Sequence, residues 1–267
     1  MSLPARAARN SLTDAFKSGE AVFTAWSGIP NPYVAETCAR ADFDAVTLDM
    51  QHGSHTTASV TDGIGAIRLA GKPAIVRVPV GRFDMASRAL DMGAAAVIAP
   101  MINSVVDARA FAEAMKYPPL GGRSWGPYRA IPLGGYQSSQ AYLEAANTDT
   151  MSFAMIETHQ AVEALDEILT IDGIDGIFVG PSDFSIAWSN GKTVDPLLGD
   201  MMDAIGDIAG KTMEAGKVAA MFTFDPSYVP QYFGFGYRLF ALATDSHYLA
   251  SGAASLVDSA KSALSNS

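Results

Sequence analysis

The sequence predicts an α/β protein that forms a single (β/α)8 TIM barrel, and three observations lead to this prediction. The chain has 267 residues, a length close to that of one such barrel. Apolar residues make up 49% of the chain and charged residues 17%, which is enough apolar material for a large core. Short apolar runs alternate with longer amphipathic stretches, the pattern of a parallel sheet covered by helices.

Eight short runs consist mainly of apolar or β-branched residues, which is typical of strands that are buried on both faces. They are residues 21–25, 45–48, 74–78, 95–99, 153–156, 176–179, 218–221 and 239–242. A stretch with helical periodicity follows each run, at residues 33–40, 60–70, 85–92, 105–116, 160–169, 201–215, 226–233 and 246–264. Eight such units favour a closed barrel over an open sheet and leave no span for a second domain, so we expect one domain over residues 1–267.

The segment from residue 117 to residue 146 has too many prolines and glycines for a regular helix. A loop of this length in a compact domain is usually functional, and we expect it where the strands end and barrel active sites lie. Trp125 and Tyr128 in this loop are candidates for a substrate pocket, although packing of the loop itself explains them equally well.

The composition excludes several classes of protein. The chain carries 18 basic and 28 acidic residues, a formal net charge of −10, so we expect no binding to nucleic acid or to an anionic membrane. Residues 1–20 lack the apolar core of a secretory signal, and the uncharged runs are shorter than a membrane span. Cys38 is the single cysteine, which excludes an intrachain disulfide and a thiolate metal cluster and fits a cytoplasmic protein.

Polar side chains stand at or directly after several predicted strand ends, where a barrel places its active site. They are Gln51 and His52 after the second strand, Arg77 at the end of the third, Glu157 after the fifth and Asp183 after the sixth. Any one of them alone is better explained as a helix cap or a solvated loop residue. Together they bring a histidine, an arginine and two carboxylates to one end of the barrel, which predicts a catalytic site.

Glu157 and Asp183 lie one strand–helix unit apart, so we expect their side chains to be neighbours at the barrel mouth. Two carboxylates with no cysteine available suit a hard divalent cation such as Mg²⁺ or Mn²⁺, with positions left for water and a substrate. The alternative is that one carboxylate caps a helix while the other pairs with an arginine, and spacing alone does not separate the two hypotheses.

The turn formed by Gly180, Pro181, Ser182 and Asp183 leads from a predicted strand into a helix. The free backbone N–H groups at a helix start attract an anion such as a carboxylate. Arg77 can then supply positive charge to an enolate oxygen. His52 is the candidate general base or acid, because histidine is the side chain that exchanges protons near neutral pH.

Six short segments form a recognisable set of motifs: LDMQHG at residues 48–53, VRV at 76–78, ALDMG at 89–93, YPPLGGR at 117–123, IET at 156–158 and DGIFVGPSDFS at 175–185. Together they resemble motifs of the HpcH/HpaI aldolase family of class II, metal-dependent pyruvate aldolases, and the resemblance runs in order from about residue 12 to residue 250. The resemblance implies a barrel enzyme, a carbon–carbon lyase. It would cleave or form 4-hydroxy-2-oxo acids from an aldehyde and pyruvate or hydroxypyruvate.

The same resemblance implies roles for individual residues. Glu157 and Asp183 would hold a divalent metal, with Mg²⁺, Mn²⁺ or Co²⁺ expected and Zn²⁺ also compatible. Arg77 would hydrogen-bond the keto or enolate oxygen, and the backbone N–H groups of Ser182 and Asp183 would receive the substrate carboxylate. His52, oriented by Asp91, would assist proton transfer, while Gln51 and Trp125 are further candidates for contact with the substrate.

The chain departs from the family pattern at Gln51, where glutamate often precedes the histidine. The exchange removes a negative charge near the metal and replaces an acceptor-only group with one that also donates. The resemblance further implies a homo-oligomer, a hexamer built from dimers, with the last helix packed on or swapped with a neighbouring subunit. Two alternatives stay open: a related barrel lyase that acts on a coenzyme A thioester, and a non-catalytic binding barrel.

Overall fold

The computed structural model describes residues 12–266, so the expectations for residues 1–11 and residue 267 lie outside the described residues. The described chain forms a closed barrel of eight parallel strands, in which each strand pairs with its neighbours in sequence and β8 returns to β1. The strands are β1 (Val22–Ser27), β2 (Ala45–Asp49), β3 (Ala74–Arg77), β4 (Ala96–Ala99), β5 (Met151–Met155), β6 (Gly176–Val179), β7 (Val218–Thr223) and β8 (Tyr237–Leu242). The predicted barrel and all eight predicted strands are confirmed.

Helices surround the barrel and return the chain from the end of one strand to the start of the next. They are α1 (Leu12–Lys17), α2 (Pro32–Arg40), α3 (Thr57–Leu69), α4 (Phe83–Asp91), α5 (Val105–Met115), α6 (Ala130–Gly134), α7 (Ser139–Asp149), α8 (His159–Glu163), α9 (Leu165–Leu169), α10 (Pro181–Trp188), α11 (Met202–Glu214), α12 (Val229–Phe235) and α13 (Asp245–Ser265). Within residues 12–266, no helix combines the length and the apolar character that a membrane span requires.

The core has two layers, because successive strand residues point to opposite sides of the barrel wall. Ile75, Phe153 and Phe178 belong to the cluster inside the barrel, while Val76 and Ile177 belong to the cluster between strands and helices. The barrel interior is therefore filled with side chains, and its open ends are the places left for a binding site.

The long segment between β4 and β5 lies at the end of the barrel where the strands begin. It follows α5, which has already carried the chain back from the end of β4. Lys116 is fully buried at its start, and its ammonium donates to the Thr150 carbonyl at 2.8 Å and to the Asp175 carboxylate at 2.7 Å. These two residues directly precede β5 and β6. The prediction that residues 117–146 lie at the active-site end of the barrel is therefore wrong. The prediction that they are irregular is wrong in part, because the segment contains α6 and the beginning of α7.

Candidate active site

A cavity of about 470 Å³ opens at the end of the barrel where the strands finish. Among the polar residues that line it are His52, Arg77, Glu157, Ser182 and Asp183. The structure thus brings together five of the predicted site residues. Their positions follow from the parallel register, which places every strand end on the same rim.

Arg77 is held in this cavity by Asp49, the last residue of the neighbouring strand. Arg77 Nε donates to Asp49 Oδ1 at 2.8 Å, and Nη2 donates to Oδ2 at 2.7 Å. Burial by itself would raise the pKa of Asp49, but the hydrogen bond and the positive charge of Arg77 outweigh it, and the pKa is lowered. The pair is therefore ionised, and two of the five guanidinium N–H groups are fixed on Asp49.

Aromatic rings surround the Arg77–Asp49 pair. The guanidinium carbon of Arg77 lies 4.8 Å from the centre of the Trp26 ring, and Trp26 Nε1 donates to Asp49 Oδ2 at 3.2 Å. Trp26 in turn packs against Phe178 and Phe222, with ring centres 5.8 and 5.3 Å away. These rings keep water from one side of the guanidinium, which strengthens its electrostatic effect on an oxygen placed in the cavity.

Glu157 is 1% exposed and lies beside Asp183. Burial and the negative charge of Asp183 raise the pKa of Glu157 to about 7. The backbone N–H of Met101 donates to Glu157 Oε2 at 3.3 Å, and Met101 holds the left-handed φ of 54° that non-glycine residues rarely adopt. Glycine at position 180 leaves room for this carboxylate, because a Cβ there would clash with Glu157 Oε1.

The carboxylate pair fits a divalent cation. Two negative groups packed together in a buried place destabilise each other, and a cation between Glu157 and Asp183 would remove that cost. The donors are oxygens, which Mg²⁺ and Mn²⁺ prefer. Within residues 12–266, no three His, Cys, Asp or Glu side chains are grouped to hold a metal, so the remaining ligands would be water or substrate oxygens.

The N-terminus of α10 points its free backbone N–H groups toward the same cavity. Gly180 is the residue before the helix, and no side chain caps this end. The N–H groups of Ser182 and Asp183 belong to the first turn and have no partner within the helix. Such an end is an anion-binding site suited to a carboxylate.

His52 lines the cavity and is exposed, and the described residues give its imidazole no hydrogen-bond partner. It is therefore free to face a substrate. Gln51 does not line the cavity, and its Oε1 atom is buried without a hydrogen-bond partner among residues 12–266. The structure therefore does not place Gln51 where the sequence analysis expects it to contact the substrate.

Two other predicted site residues, Asp91 and Trp125, do not reach this cavity in their own chain. Asp91 ends α4, at the opposite end of the barrel, and its Oδ1 accepts a hydrogen bond from Arg123 at 2.7 Å. Trp125 packs against the rings of Tyr117 and Tyr142, with ring centres 5.4 and 6.0 Å away. Within a single chain, Asp91 therefore does not contact His52 and Trp125 does not line the cavity, and the predicted roles of both residues stay predictions.

His55 belongs to a buried network at the edge of the cavity. Its Nε2 lies 3.1 Å from Ser27 Oγ, which donates to Asp245 Oδ2 at 2.9 Å. The backbone N–H of Ile29 donates to the same Asp245 oxygen at 2.9 Å. The network fixes the chain after β1 to the start of α13. Asp245 and Asp49 are carboxylates of this site for which the sequence predicted no role.

Comparison with known proteins gives consistent matches along the chain. Residues 23–251 match the family model described as HpcH/HpaI aldolase/citrate lyase. A hydroxypyruvate/pyruvate aldolase of Rhizorhabdus wittichii is 33% identical over 252 residues, 94% of this chain and 99% of that relative. A 4-hydroxy-2-oxovalerate aldolase of Novosphingobium aromaticivorans is 32% identical over 246 residues, 91% of this chain and 92% of that relative.

A solved structure matches as well. The crystal structure of an HpcH/HpaI aldolase/citrate lyase family protein from Burkholderia cenocepacia superposes with a TM-score of 0.85 at 26% identity, over 95% of this chain and 100% of that one. The relatives confirm the predicted class of enzyme, a carbon–carbon lyase of the aldolase type. The family match runs from β1 into α13 and includes every residue of the cavity described above, so the chain belongs to the HpcH/HpaI aldolase/citrate lyase family.

Proposed function

We propose that the protein is a divalent-metal-dependent aldolase. It catalyses one reaction in both directions. In the forward direction it forms a 4-hydroxy-2-oxo acid from an aldehyde and pyruvate or hydroxypyruvate, and in the reverse direction it cleaves that acid. The observation that carries the proposal is the cavity in which Glu157 and Asp183 lie near Arg77 and the N-terminus of α10. The relatives named hydroxypyruvate/pyruvate aldolase and 4-hydroxy-2-oxovalerate aldolase support it.

Each proposed role follows from the hydrogen-bonding groups that a residue leaves available to the substrate. Arg77 uses two N–H groups on Asp49 and has three left to bind the keto oxygen and the enolate oxygen. The backbone N–H groups of Ser182 and Asp183 bind the substrate carboxylate. His52 exchanges a proton with the aldol hydroxyl or the substrate methyl group.

Glu157 and Asp183 would hold the metal, for which Mg²⁺, Mn²⁺ and Co²⁺ are the candidates, with Zn²⁺ also compatible. The bound cation would supply positive charge that favours the enolate. The protein contributes two oxygen ligands, so a 2-oxo acid can occupy the remaining positions with its own oxygens.

The proposal is tested by pyruvate release from 4-hydroxy-2-oxovalerate. We expect a chelator to abolish release and Mg²⁺, Mn²⁺ or Co²⁺ to restore it. Arg77→Ala should lower kcat by roughly 100-fold or more, because removal of one group that binds a developing oxyanion typically costs that much. Arg82→Ala is the matched control, since Arg82 is exposed and outside the cavity.

Full activity after thorough chelation contradicts the mechanism. Metal-dependent cleavage of a coenzyme A thioester, with none of the 2-oxo acid, would favour the related lyase instead. The absence of turnover of either substrate at saturating metal would favour a binding barrel.

We also propose that the chain forms one domain and assembles into a homo-oligomer, a hexamer by family resemblance. Residues 249–265 of α13 are exposed along their whole length, which supports contact with another subunit. The substrates in this proposal are small molecules, and the net charge of −10 supports neither nucleic acid nor an anionic membrane as a partner.

A further inference from the structure

A second cavity, here called the side cavity, lies next to the catalytic one. Its volume is about 160 Å³. It is bounded by the end of β7, the start of α10 and the chain around Pro196. Pro181 and Phe222 line both cavities, so the two cavities adjoin at these residues.

The lining of the side cavity is mostly apolar. Leu197, Phe224, Tyr228 and Tyr232 contribute side chains to it, and Tyr232 is itself buried. An apolar cavity of about 150 Å³ in an engineered protein holds one benzene molecule. The side cavity therefore has the size and the surface to hold one six-membered ring.

One polar atom in this lining has no partner. Thr223 is 2% exposed, and its Oγ1 is buried without a hydrogen-bond partner among residues 12–266. Its backbone carbonyl is used, since it accepts from the N–H of Ala243 at 3.2 Å. Buried hydroxyl groups are nearly always hydrogen-bonded, so this one is available to a hydroxyl or carbonyl group of a bound molecule.

The charges at the edge of the side cavity are negative. Asp195 Oδ1 accepts from the N–H of Leu197 at 2.9 Å, and Asp225 Oδ1 accepts from the N–H of Ser227 at 2.9 Å. These bonds hold both carboxylates at the rim. In the part of the chain that the structure describes, no lysine, arginine or histidine lines the cavity. An aldehyde with a carboxylate or phosphate group would therefore be repelled.

We propose that the side cavity receives the ring of an uncharged aromatic aldehyde that carries a hydroxyl group. Binding of the ring there determines which aldehyde serves as the acceptor of the aldol reaction. The inference rests on the proposed function and names its acceptor class. The reaction needs no further reactant: the 2-oxo acid loses a proton from its methyl or methylene carbon to give the enolate, whose carbon forms a C–C bond with the aldehyde carbon. The π bond of the aldehyde carbonyl breaks in this step, and the aldehyde oxygen takes up a proton.

The test separates enolate formation from aldehyde selection. Exchange of the pyruvate methyl hydrogens for deuterium, followed by NMR with metal present, measures enolate formation without any aldehyde. The KM values of benzaldehyde, the three hydroxybenzaldehydes, succinic semialdehyde and glycolaldehyde are then measured at saturating pyruvate. We expect the best ring aldehyde to have a KM at least about tenfold below that of glycolaldehyde, and succinic semialdehyde to bind weakly.

Two variants test the cavity itself. Leu197→Trp narrows it and should raise the KM for benzaldehyde at least about tenfold while leaving the KM for glycolaldehyde and the deuterium exchange unchanged. Val194→Trp is the matched control, because Val194 lies in the same loop, is exposed and does not line the cavity. Thr223→Val removes only the hydroxyl and should raise the KM of the best hydroxybenzaldehyde about tenfold, with benzaldehyde unaffected.

The outcomes are distinct. Normal deuterium exchange without a preference for ring aldehydes overturns the inference and leaves the proposed function standing. The inference is also overturned, and the proposed function left standing, if Leu197→Trp has the same KM for benzaldehyde as Val194→Trp while its deuterium exchange equals that of the wild type. Absence of exchange with every metal overturns the proposed function itself.

Discussion

At the scale of single residues, the pairing of Arg77 with Asp49 shapes the site most. The two residues are direct partners in the register between β2 and β3, each at the last position of its strand. Arg77 was predicted at a strand end, but its pairing with Asp49 depends on the register of two strands. Hydrophobic runs locate strands without fixing register to one residue, so the role of Asp49 was not predictable from the pattern alone.

Asp49→Asn should lower kcat by roughly 10- to 100-fold, the range typical of groups that orient a ligand residue. The substitution removes the negative charge of Asp49 and one of the two acceptors for the Arg77 guanidinium, so the orientation of the guanidinium toward the substrate is no longer fixed. Because the pKa of Asp49 is lowered, its carboxylate is ionised across the neutral range, and the loss should be equal at pH 6 and pH 8. Steady-state kinetics at both values measure it.

Asp84→Asn is the control for this prediction. Asp84 forms the same bidentate contact with Arg82, at 2.9 Å for both bonds, but on the exposed surface. We expect its kcat to equal that of the wild type. A wild-type kcat for Asp49→Asn would show that Arg77 is held by its aromatic neighbours instead.

At the scale of elements, the strands were predictable and the connections less so. Strands buried on both faces are apolar throughout, and that signal survives in a single sequence. The predicted helix over residues 160–169 is two helices that meet at Ala164. The start of α10 was expected after the turn at residues 180–183, but its extent was not among the eight predicted helical stretches. Its site residues were still found, because the turn before it starts at a strand end.

Two predicted site residues lie away from the cavity for one physical reason. Helices run opposite to strands, so a residue at the end of a helix lies at the far end of the barrel from a residue at the end of a strand. Asp91 ends α4, and Trp125 follows α5. Motif resemblance suggested a role for Asp91 and the composition of the long loop suggested one for Trp125, but the direction of the chain places both away from the cavity within one subunit.

Gly180→Ala should destabilise the protein by roughly 1–3 kcal/mol and weaken Mn²⁺ binding, because the new Cβ meets Glu157 Oε1. The backbone φ of −98° accepts alanine, so the effect is steric. Gly210→Ala is the matched control: Gly210 lies inside α11, and nothing stands within 4 Å of its Cβ position. There alanine should stabilise the fold by about 0.5–1 kcal/mol.

Chemical denaturation and Mn²⁺ titration measure both effects. Equal stability and equal Mn²⁺ affinity for the two variants would show that the Glu157 carboxylate moves aside without cost. Metal binding would then not depend on the position of the Glu157 carboxylate next to Gly180.

At the scale of the whole molecule, α13 stands out because most of its length is exposed in a single subunit. It is 21 residues long, about 30 Å, and its first turn is fixed to the barrel. There Asp245 binds the chain after β1, and the Tyr248 hydroxyl donates to the Leu242 carbonyl. The rest carries exposed leucines at positions 249, 256 and 264. A helix of this length is marginal without packing.

Leu256→Glu combined with Leu264→Glu should therefore reduce the mass of the particle in solution, measured by size exclusion with light scattering. Leu256 and Leu264 are 74% and 78% exposed, and two charges on this stripe would be buried without partners at a subunit interface. Leu69→Glu is the control, because Leu69 is 83% exposed and ends α3, away from α13. The wild type and the control should form the same oligomer. A monomeric wild type, or a double variant with unchanged mass, would show that α13 does not hold subunits together.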